Sequence, residues 1–262
     1  MKATVFLGGG RITGALLRGL RVAKYPAPLV VHDRHPEKLR QLRKHYGVTV
    51  EPNLKKAIQR SDLVIIAVRP DSVAELLEEI GSLNRPLSAV SLAAGVPLAK
   101  LRARLGPPVA WARAMPSPVG RSRRGLTALA FDRSLARRAK RRIRNLFSQL
   151  GPVFEIPESQ FDAFTVTYSA SHGYHAVDTL ARAAQKLGLP QKTAYAAAAH
   201  ALADGILAWR EDDTSLEALL YEAATPGGIA ATVIESMNRA GYRTVVQRGL
   251  EAGISRARRN RG

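Results

Sequence analysis

The sequence contains no cysteine. This absence excludes disulfide bonds, thiol nucleophiles and thiolate-ligated metal ions, and it fits a reducing compartment. The six histidines are scattered without ligand spacing, so no metal site is predicted. No apolar run reaches the roughly 18 residues that cross a bilayer, and the first residues lack the pattern of a secretion signal. We expect a soluble cytoplasmic protein with no metal and no membrane partner.

Acidic residues are scarce: 21 Asp and Glu stand against 40 Lys and Arg, which gives a net charge of +19. The basic residues are densest between Arg133 and Arg144, and a second cluster consists of Arg256, Arg258, Arg259 and Arg261. Aromatic residues do not alternate with these runs, so no stacking surface for single strands is indicated. We expect a solvated helix face rather than a nucleic-acid partner, although a functional polyanion surface stays an alternative.

The chain opens with a strand, a glycine turn and a helix. The apolar run Ala3–Leu7 has strand length, three glycines follow it, and residues 12–20 carry leucines at helical spacing. This context predicts dinucleotide binding, with Gly8 for the tight turn and Gly10 for close approach of a pyrophosphate. The amides of the helix start at Arg11 and Ile12 then face the phosphates. Thr13 occupies the third small position of the pattern, and a packing turn in another α/β domain is the alternative.

The second predicted strand, Leu29–His32, ends at Asp33 and Arg34. An acidic residue at this position accepts hydrogen bonds from a ribose diol, which favours NAD. The neighbouring arginine contacts a 2′-phosphate instead, which favours NADP. The sequence leaves this choice open.

Strands and helices alternate over residues 1–157, which predicts a doubly wound, mostly parallel sheet of the Rossmann type. Residues 158–262 read as all-helical, with an interruption near residues 169–173. Polar or small loops follow three buried strands: Val68-Arg69-Pro70, Ala93-Ala94-Gly95, and Arg113 to Pro118 after a strand predicted over residues 109–112. Ligands of such folds bind at this edge of the sheet. The small side chains of residues 93–95 would let the backbone approach a flat ring.

Five loop motifs occur in one order along the chain: Gly8-Gly9-Gly10, Val68-Arg69-Pro70, Ala93-Ala94-Gly95, Arg113-x-Met115-Pro116 and Pro226-Gly227-Gly228. As a set they resemble the pyrroline-5-carboxylate reductase family across nearly the whole chain. The resemblance implies a Rossmann domain over residues 1–157 and a helical dimerisation and substrate domain over residues 158–262. It also implies an oxidoreductase that reduces a cyclic imine carboxylate, Δ1-pyrroline-5-carboxylate to proline, with hydride from NADPH or NADH. A homodimer or higher homo-oligomer is expected.

The resemblance also implies the site residues. The cofactor would contact Gly8, Gly10, Arg11, Ile12, Asp33, Arg34, Val68, Arg69, Pro70, Ala93, Ala94, Gly95, Met115 and Pro116. The substrate carboxylate would meet Ser169, Thr225, Gly227 and Gly228 at a glycine-rich helix start. Thr225 stands where the family has serine, and a simple N-cap is its alternative role.

Several substrate-side positions depart from the family pattern. Ile229 and Ala230 stand where threonine is usual, and residues 168–173 read Tyr-Ser-Ala-Ser-His-Gly where Ser-Gly-Ser-Gly-Pro-Ala is usual. Arg11 and Ser117 each replace an asparagine. We hypothesise that the nucleotide still binds while the substrate is altered, with Tyr168, His172 and His175 near the reacting ring and His172 as the proton donor. The alternative is a nucleotide-binding member without catalysis, which acts as a sensor or partner-binding protein.

Overall fold

A computed structural model describes residues 3–117, 125–211 and 213–260 of the chain. Pro118 and Arg261, both named above, lie outside the described residues. The chain forms two compact units. The first unit comprises the residues up to Tyr168 together with those from Gly253 onward, and the second unit comprises Ser169–Ala252.

The described part of the first unit contains an eight-stranded sheet. Its strands are β1 (Ala3–Leu7), β2 (Leu29–His32), β3 (Thr49–Val50), β4 (Ser61–Ile66), β5 (Leu87–Ser91), β6 (Val109–Pro116), β7 (Thr127–Phe131) and β8 (Val153–Glu155). The strand order is β3-β2-β1-β4-β5-β6-β7-β8, and only the β6–β7 pair is antiparallel. This arrangement confirms the predicted doubly wound, mostly parallel sheet.

Helices connect the strands and continue after the sheet. They are α1 (Arg11–Val22), α2 (Pro36–Tyr46), α3 (Leu54–Gln59), α4 (Val73–Ile80), α5 (Leu98–Arg104), α6 (Arg137–Ser148), α7 (Phe161–Thr167), α8 (Ala170–Lys186), α9 (Gln191–Glu211), α10 (Leu216–Ala223), α11 (Ile229–Arg239) and α12 (Tyr242–Arg259). A 3₁₀ turn over Pro70–Ser72 precedes α4. The all-helical character predicted after the sheet is confirmed.

Both faces of the sheet are covered, because successive residues of a strand point to opposite sides. Val5 and Leu7 belong to one buried cluster, whereas Phe6 belongs to the cluster on the other face. The parallel registers pair Leu7 with His32 and with Ile66, and Ile66 with Ser91. The carboxyl ends of β1, β2, β4 and β5 therefore meet at one edge, which is where a doubly wound fold binds its ligand.

Strand β6 is longer than the sequence indicated. The prediction ended it at Ala112 and placed Arg113, Met115 and Pro116 in the following loop, but all three lie inside the strand. The reason is the antiparallel partner: β5 pairs with residues 109–113, whereas β7 pairs with residues 112–116 and extends the strand beyond Arg113. An extension that depends on pairing with a later strand has no local sequence signal.

The second unit contains helices with little buried surface of their own. Helices α8 and α9 pack through Ala181, Ala194 and Ala198, and α9 buries only the last two of these in 21 residues. The interruption predicted over residues 169–173 is confined to Tyr168 and Ser169, because Ser169 caps α8 at once by accepting from the amide of Ser171. The unit consequently leaves many apolar side chains uncovered.

The predicted domain boundary between residues 157 and 158 stays a prediction. It separates the sheet from the helices, whereas the compact units meet at residues 168 and 169 and return the end of α12 to the first unit. Within the described residues, none of the helices combines the length and the apolar character needed to cross a membrane.

Candidate active site

The turn between β1 and α1 requires glycine at its first position. Gly8 has a φ of +107°, and a Cβ atom there would lie 2.7 Å from the carbonyl oxygen of Ala67. The amide of Gly8 donates to the carbonyl of His32 at 2.8 Å. The turn is therefore pressed between the ends of β2 and β4, and no side chain fits at this position.

Thr13 explains the departure at the third small position of the glycine pattern. It is fully buried, and its hydroxyl donates to the carbonyl oxygen of Gly8 at 2.5 Å. The side chain thus ties the first turn of α1 to the glycine loop. A hydroxyl here supplies a hydrogen bond where a third glycine would supply only close packing.

The start of α1 suits an anionic group. Gly10 is the N-cap residue of α1, so no side chain there accepts a hydrogen bond from the first helix amides. The first turn contains no acidic residue. Nothing lies within 4 Å of the position of a Cβ atom on Gly10. The first amides of a helix have no intrahelical partner and carry the positive end of the helix dipole. The amides at Gly10, Arg11 and Ile12 therefore fit a diphosphate that approaches the backbone closely.

Asp33 holds the glycine loop. Its Oδ2 atom accepts from the amide of Gly9 at 2.7 Å, and its Oδ1 atom accepts from the amide of His35 at 2.9 Å. The Oδ1 atom also lies 2.8 Å from the His35 ring nitrogen Nδ1, and the ammonium group of Lys38 lies 3.8 Å from Oδ2. Burial raises the pKa of Asp33, but these donors outweigh it, so the pKa lies below its ordinary value.

Both carboxylate oxygens of Asp33 are thus already engaged by the protein, and the residue is only 8% exposed. A carboxylate with these partners has little remaining capacity to accept from a ribose diol. Arg34, in contrast, is exposed, and its guanidinium lies 3.7 Å from the carboxylate of Glu75 at the surface. The ribose contact predicted for Asp33 stays a prediction.

A cavity of about 510 Å³ opens beside the glycine turn. It is within the size range of ligand pockets. Of the predicted cofactor residues, it brings together Gly8, Gly10, Asp33, Arg34, Val68 and Arg69. The other lining residues were not predicted to contact the cofactor: His32, His35, Lys38, Ala67, Ser72, Glu75, Leu76 and Glu79.

Two sequence signals would have found most of the missed residues. Ser72, Glu75, Leu76 and Glu79 follow helical spacing on one face of α4 and its preceding turn, directly after a strand that ends at the binding edge. His35 is the N-cap of α2 with Pro36 behind it, so it must lie at the same edge as Asp33. Helix faces next to a predicted loop are therefore as informative as the loop.

The loop after β5 requires a small residue because it contacts the end of α12, and the predicted approach of a flat ring stays a prediction. Gly95 has a φ of +78°, and a Cβ atom there would lie 2.2 Å from the carbonyl oxygen of Ala257. The end of α12 therefore occupies the space beside Gly95. The carbonyl oxygen of Ala94 accepts from the side-chain amide of Asn260 at 3.3 Å. Ala93, Ala94 and Gly95 do not line the 510 Å³ cavity.

Arg113 lies in the core behind the site. It is 2% exposed, with guanidinium nitrogens 3.5 Å from Glu158 and 3.5 Å from Asp162. Its guanidinium also covers the ring of Phe161 at 4.1 Å. Burial lowers the pKa of Arg113, and the two carboxylates oppose this shift. Met115 packs against the same cluster as Phe161, so it contributes to the core, and its predicted cofactor contact stays a prediction.

Tyr168 also has a structural contact in the first unit. Its hydroxyl oxygen accepts from the amide of Leu126 at 2.5 Å, and its ring lies 5.3 Å from that of Phe164. The hydroxyl proton is not used in this contact. The catalytic role predicted for Tyr168 stays a prediction.

The predicted substrate residues of the second unit lie at two helix starts. Ser169 caps α8 and contacts the hydroxyl of Ser171 at 2.7 Å, while His172 lies exposed in the first turn of the same helix. Gly228 is the N-cap of α11 and makes no side-chain cap. Its amide donates to the carbonyl of Thr225 at 2.9 Å.

The alternative role of Thr225 as an N-cap is wrong. Its hydroxyl donates back to the carbonyl of Glu222 at 3.3 Å, and Gly227, with a φ of +79°, turns the chain between Thr225 and the helix. The start of α11 therefore offers backbone amides alone. Ile229, its first residue, is 87% exposed.

The basic stretch from Arg133 to Arg144 lies on and before α6. Three of its side chains have partners: Arg142 pairs with Asp62, Arg144 pairs with Glu155, and Lys140 lies over the ring of Phe131 at 5.5 Å. The solvated face predicted here stays a prediction, as does the polyanion alternative. In the parts of the chain that the structure describes, no group of His, Asp and Glu side chains could hold a metal ion.

Comparison with known proteins agrees with these features. Residues 4–95 match the family profile described as NADP oxidoreductase coenzyme F420-dependent. Residues 158–260 match the profile described as pyrroline-5-carboxylate reductase dimerisation. These matches confirm the predicted oxidoreductase and its cofactor, NADP or NAD.

Solved structures show the same fold. The chain aligns with a pyrroline-5-carboxylate reductase from Coxiella burnetii at a TM-score of 0.89 and 22% identity, over 100% of this chain and 99% of the other. It aligns with the Plasmodium falciparum pyrroline carboxylate reductase with NADP bound at a TM-score of 0.85 and 18% identity, over 100% and 98%.

Proteins that are similar in sequence over nearly their whole length support the assignment to a family. A pyrroline-5-carboxylate reductase of Mycobacterium tuberculosis is 28% identical over 98% of this chain and 96% of the relative. That of Thermus thermophilus is 32% identical over 96% of this chain and 95% of the relative. On these full-length matches, and as the five loop motifs predicted, the chain belongs to the pyrroline-5-carboxylate reductase family.

Proposed function

We propose that this chain reduces Δ1-pyrroline-5-carboxylate to proline and that its preferred hydride donor is NADPH. The observation that carries the proposal is the uncapped start of α1 beside the 510 Å³ cavity. A reduced nicotinamide, when bound, supplies the hydride. The relatives that span nearly the whole chain are named for this reaction, and none of them favours the alternative of a member without catalysis.

In this proposal the chain's own residues bind and orient the reactants. Gly8 and the amides at Gly10, Arg11 and Ile12 hold the diphosphate, and Val68, Arg69 and Pro70 follow β4 at the same edge. The amides at the start of α11, with Gly227, Gly228 and Thr225, receive the substrate carboxylate. The end of β6 at Met115 and Pro116 completes the cofactor side. Positioning is the main catalytic task, because hydride transfer needs a short, aligned path.

The preference for NADPH follows from the partners of Asp33 and Arg34. The carboxylate of Asp33 already accepts from Gly9 and His35, so it offers little to a ribose diol. Arg34, His35 and Lys38 line the cavity and supply donors for a 2′-phosphate. Charge-assisted bonds from arginine to phosphate are among the strong hydrogen bonds of proteins.

Replacing Arg34 by serine is expected to raise the KM for NADPH by on the order of tenfold to a hundredfold, since a bond to a charged group contributes about 1.5–3 kcal/mol. The KM for NADH should hardly change. Arg40→Ser is the matched control, because Arg40 is exposed on α2 and does not line the cavity. Equal changes for the two nucleotides would contradict the preference.

His172 is proposed as the donor of the proton to the imine nitrogen. Removing a general acid typically costs a factor of about 10²–10⁴, so kcat of His172→Ala should fall by at least about a hundredfold, as measured by NADPH oxidation. His200→Ala is the control, because His200 is also exposed and helical but pairs with Asp204 on α9. Unchanged turnover of the His172 variant would remove the role.

A homodimer formed through the helical half is also part of the proposal. Large apolar side chains exposed on the second unit include Tyr174, Leu187, Ile206, Leu220, Tyr221, Ile229, Val233, Met237, Tyr242 and Val245. Exposed large apolar side chains in such number are typical of a surface that another protein chain covers. The match of residues 158–260 to a dimerisation profile supports the same conclusion.

Val245→Glu is expected to dissociate this dimer. Val245 is 65% exposed, and burying an unpaired carboxylate in an interface costs about 3 kcal/mol or more, which raises the dissociation constant by at least about a hundredfold. Sedimentation analysis measures the shift. Val22→Glu is the control, because Val22 is 56% exposed but lies on α1 of the first unit. A dimer unchanged by the Val245 variant would contradict this assignment.

Oxidation of NADPH by the purified chain in the presence of pyrroline-5-carboxylate tests the reaction itself. Other cyclic imines serve as comparison substrates, because Ile229, Ala230 and residues 168–173 depart from the family pattern. Faster oxidation with pyrroline-5-carboxylate than with the others is expected. Binding of NADPH without oxidation by any imine would support the non-catalytic alternative instead.

A further inference from the structure

The loop between β5 and α5, residues 92–97, meets its surroundings through its backbone. The amide of Leu92 donates to the carbonyl of Ile66 at 3.0 Å, which places the loop next to the end of β4. Residues 67–69, which follow β4, line the 510 Å³ cavity. The side chains of Ala93 and Ala94 are methyl groups, and Gly95 has none, so these residues cannot form side-chain hydrogen bonds. The position of this loop therefore depends on whatever holds its backbone.

The end of α12 and the residue that follows it, Asn260, hold the middle of the loop. The side-chain amide of Asn260 donates to the carbonyl oxygen of Ala94 at 3.3 Å. The backbone amide of Asn260 donates to the carbonyl of Ala257 at 3.1 Å, and that same carbonyl oxygen occupies the space beside Gly95. Asn260 also lines a second cavity, of about 200 Å³, together with Pro70. The end of α12 and Asn260 thus contact Ala94 and Gly95 at once.

Glu158 holds the far end of the loop. Its Oε1 atom accepts from the amide of Leu98, the first residue of α5, at 2.6 Å, and it lies 3.5 Å from the buried guanidinium of Arg113. Two residues that follow the sheet in sequence, Glu158 and Asn260, therefore hold a loop that belongs to the sheet. Of these two contacts, that of Asn260 is the closer to the middle of the loop.

We propose that Asn260 is a positioning residue for the reducing ring of the cofactor and that it acts through the carbonyl group of Ala94. This inference rests on the proposed function. In the proposed function a flat ring meets the backbone of residues 93–95 at the sheet edge beside the end of β4, and Asn260 fixes the middle carbonyl of that loop. A displacement of about 1 Å in a group that aligns reactants can cost about a hundredfold in rate. Asn260 consequently affects hydride transfer without contacting either reactant.

The test uses the full chain with Asn260→Asp, an isosteric change that replaces the amide donor by a carboxylate oxygen facing the Ala94 carbonyl. Arg258→Gln is the control, because Arg258 is exposed in the same turn. The measurements are kcat and KM for pyrroline-5-carboxylate, the Kd of NADPH, the Kd of adenosine 2′,5′-diphosphate and the thermal midpoint. Adenosine 2′,5′-diphosphate reports the adenosine side of the site, because it has no nicotinamide.

For Asn260→Asp we expect kcat to fall by on the order of tenfold or more and NADPH to bind several-fold more weakly. Binding of adenosine 2′,5′-diphosphate and the thermal midpoint should match those of the control. Unchanged kcat and NADPH affinity would overturn the inference, and so would a joint loss of turnover, of both affinities and of thermal stability, which marks a merely structural role. If the unmodified chain oxidises no NADPH, the proposed function fails, and the difference between NADPH and adenosine 2′,5′-diphosphate binding still decides the role of Asn260.

Discussion

Replacing Gly8 by alanine is expected to abolish NADPH binding and to lower the free energy of unfolding by about 2–5 kcal/mol. The positive φ of +107° costs an alanine about 1–2 kcal/mol. Its Cβ atom would lie 2.7 Å from a backbone oxygen, and such overpacking costs about 1–3 kcal/mol more. The strand end at Ala67 cannot move aside as a side chain would, so the turn itself must shift away from the cofactor.

Gly10→Ala distinguishes an effect on NADPH binding from an effect on the stability of the fold at the same turn. Gly10 has a φ of −78° and open space around the Cβ position, so alanine should not destabilise the fold. NADPH should nevertheless bind on the order of tenfold more weakly, because the methyl group obstructs the close approach of the diphosphate to the helix amides. Fluorescence titration with NADPH and urea unfolding measure the two effects. Equal affinities for Gly8→Ala and the unmodified chain would contradict the assigned turn.

Replacing Arg113 by alanine is expected to destabilise the first unit by about 3–5 kcal/mol, the usual cost of breaking a buried ion pair from one side. The substitution leaves Asp162, which is 6% exposed, near Glu158 without the intervening cation. It also removes the guanidinium from the ring of Phe161. Urea unfolding followed by tryptophan fluorescence measures the loss, since Trp111 is buried in the same strand.

A second substitution distinguishes charge from packing at this position. Adding Asp162→Asn to Arg113→Ala removes one stranded carboxylate, so part of the lost stability should return. Arg104→Ala is the control, because Arg104 pairs with Glu78 at the surface and exposed pairs contribute little. A loss for Arg113→Ala no larger than that of the control would contradict the structural role of the ion pairs.

The sequence predicted best those elements whose ends carry local signals. Strands β1 and β2 have the predicted bounds, because Gly8 and Asp33 end them locally. Strand β6 lacks such a signal at its end, since the residues that extend it beyond the predicted end at Ala112 pair with β7. Local patterns do not encode a partner that arrives later in the chain.

The candidate site likewise has one part that local sequence predicts and another that depends on distant residues. The glycine turn and the start of α1 were predictable from spacing, whereas the partners of Asp33 depend on how the loop after β2 folds back onto Gly9. The need for glycine at position 95 comes from the carbonyl of Ala257, which lies near the other end of the chain. A sequence pattern identified the position, and only the structure identified the reason.

Titration of the purified chain with NADPH and NADH, followed by nucleotide fluorescence or calorimetry, tests the central claim most directly. The account predicts saturable binding of both reduced nucleotides, tighter for NADPH, and its loss in Gly8→Ala. Failure of the unmodified, folded chain to bind either nucleotide would contradict it, because the uncapped start of α1 would then not be a diphosphate site.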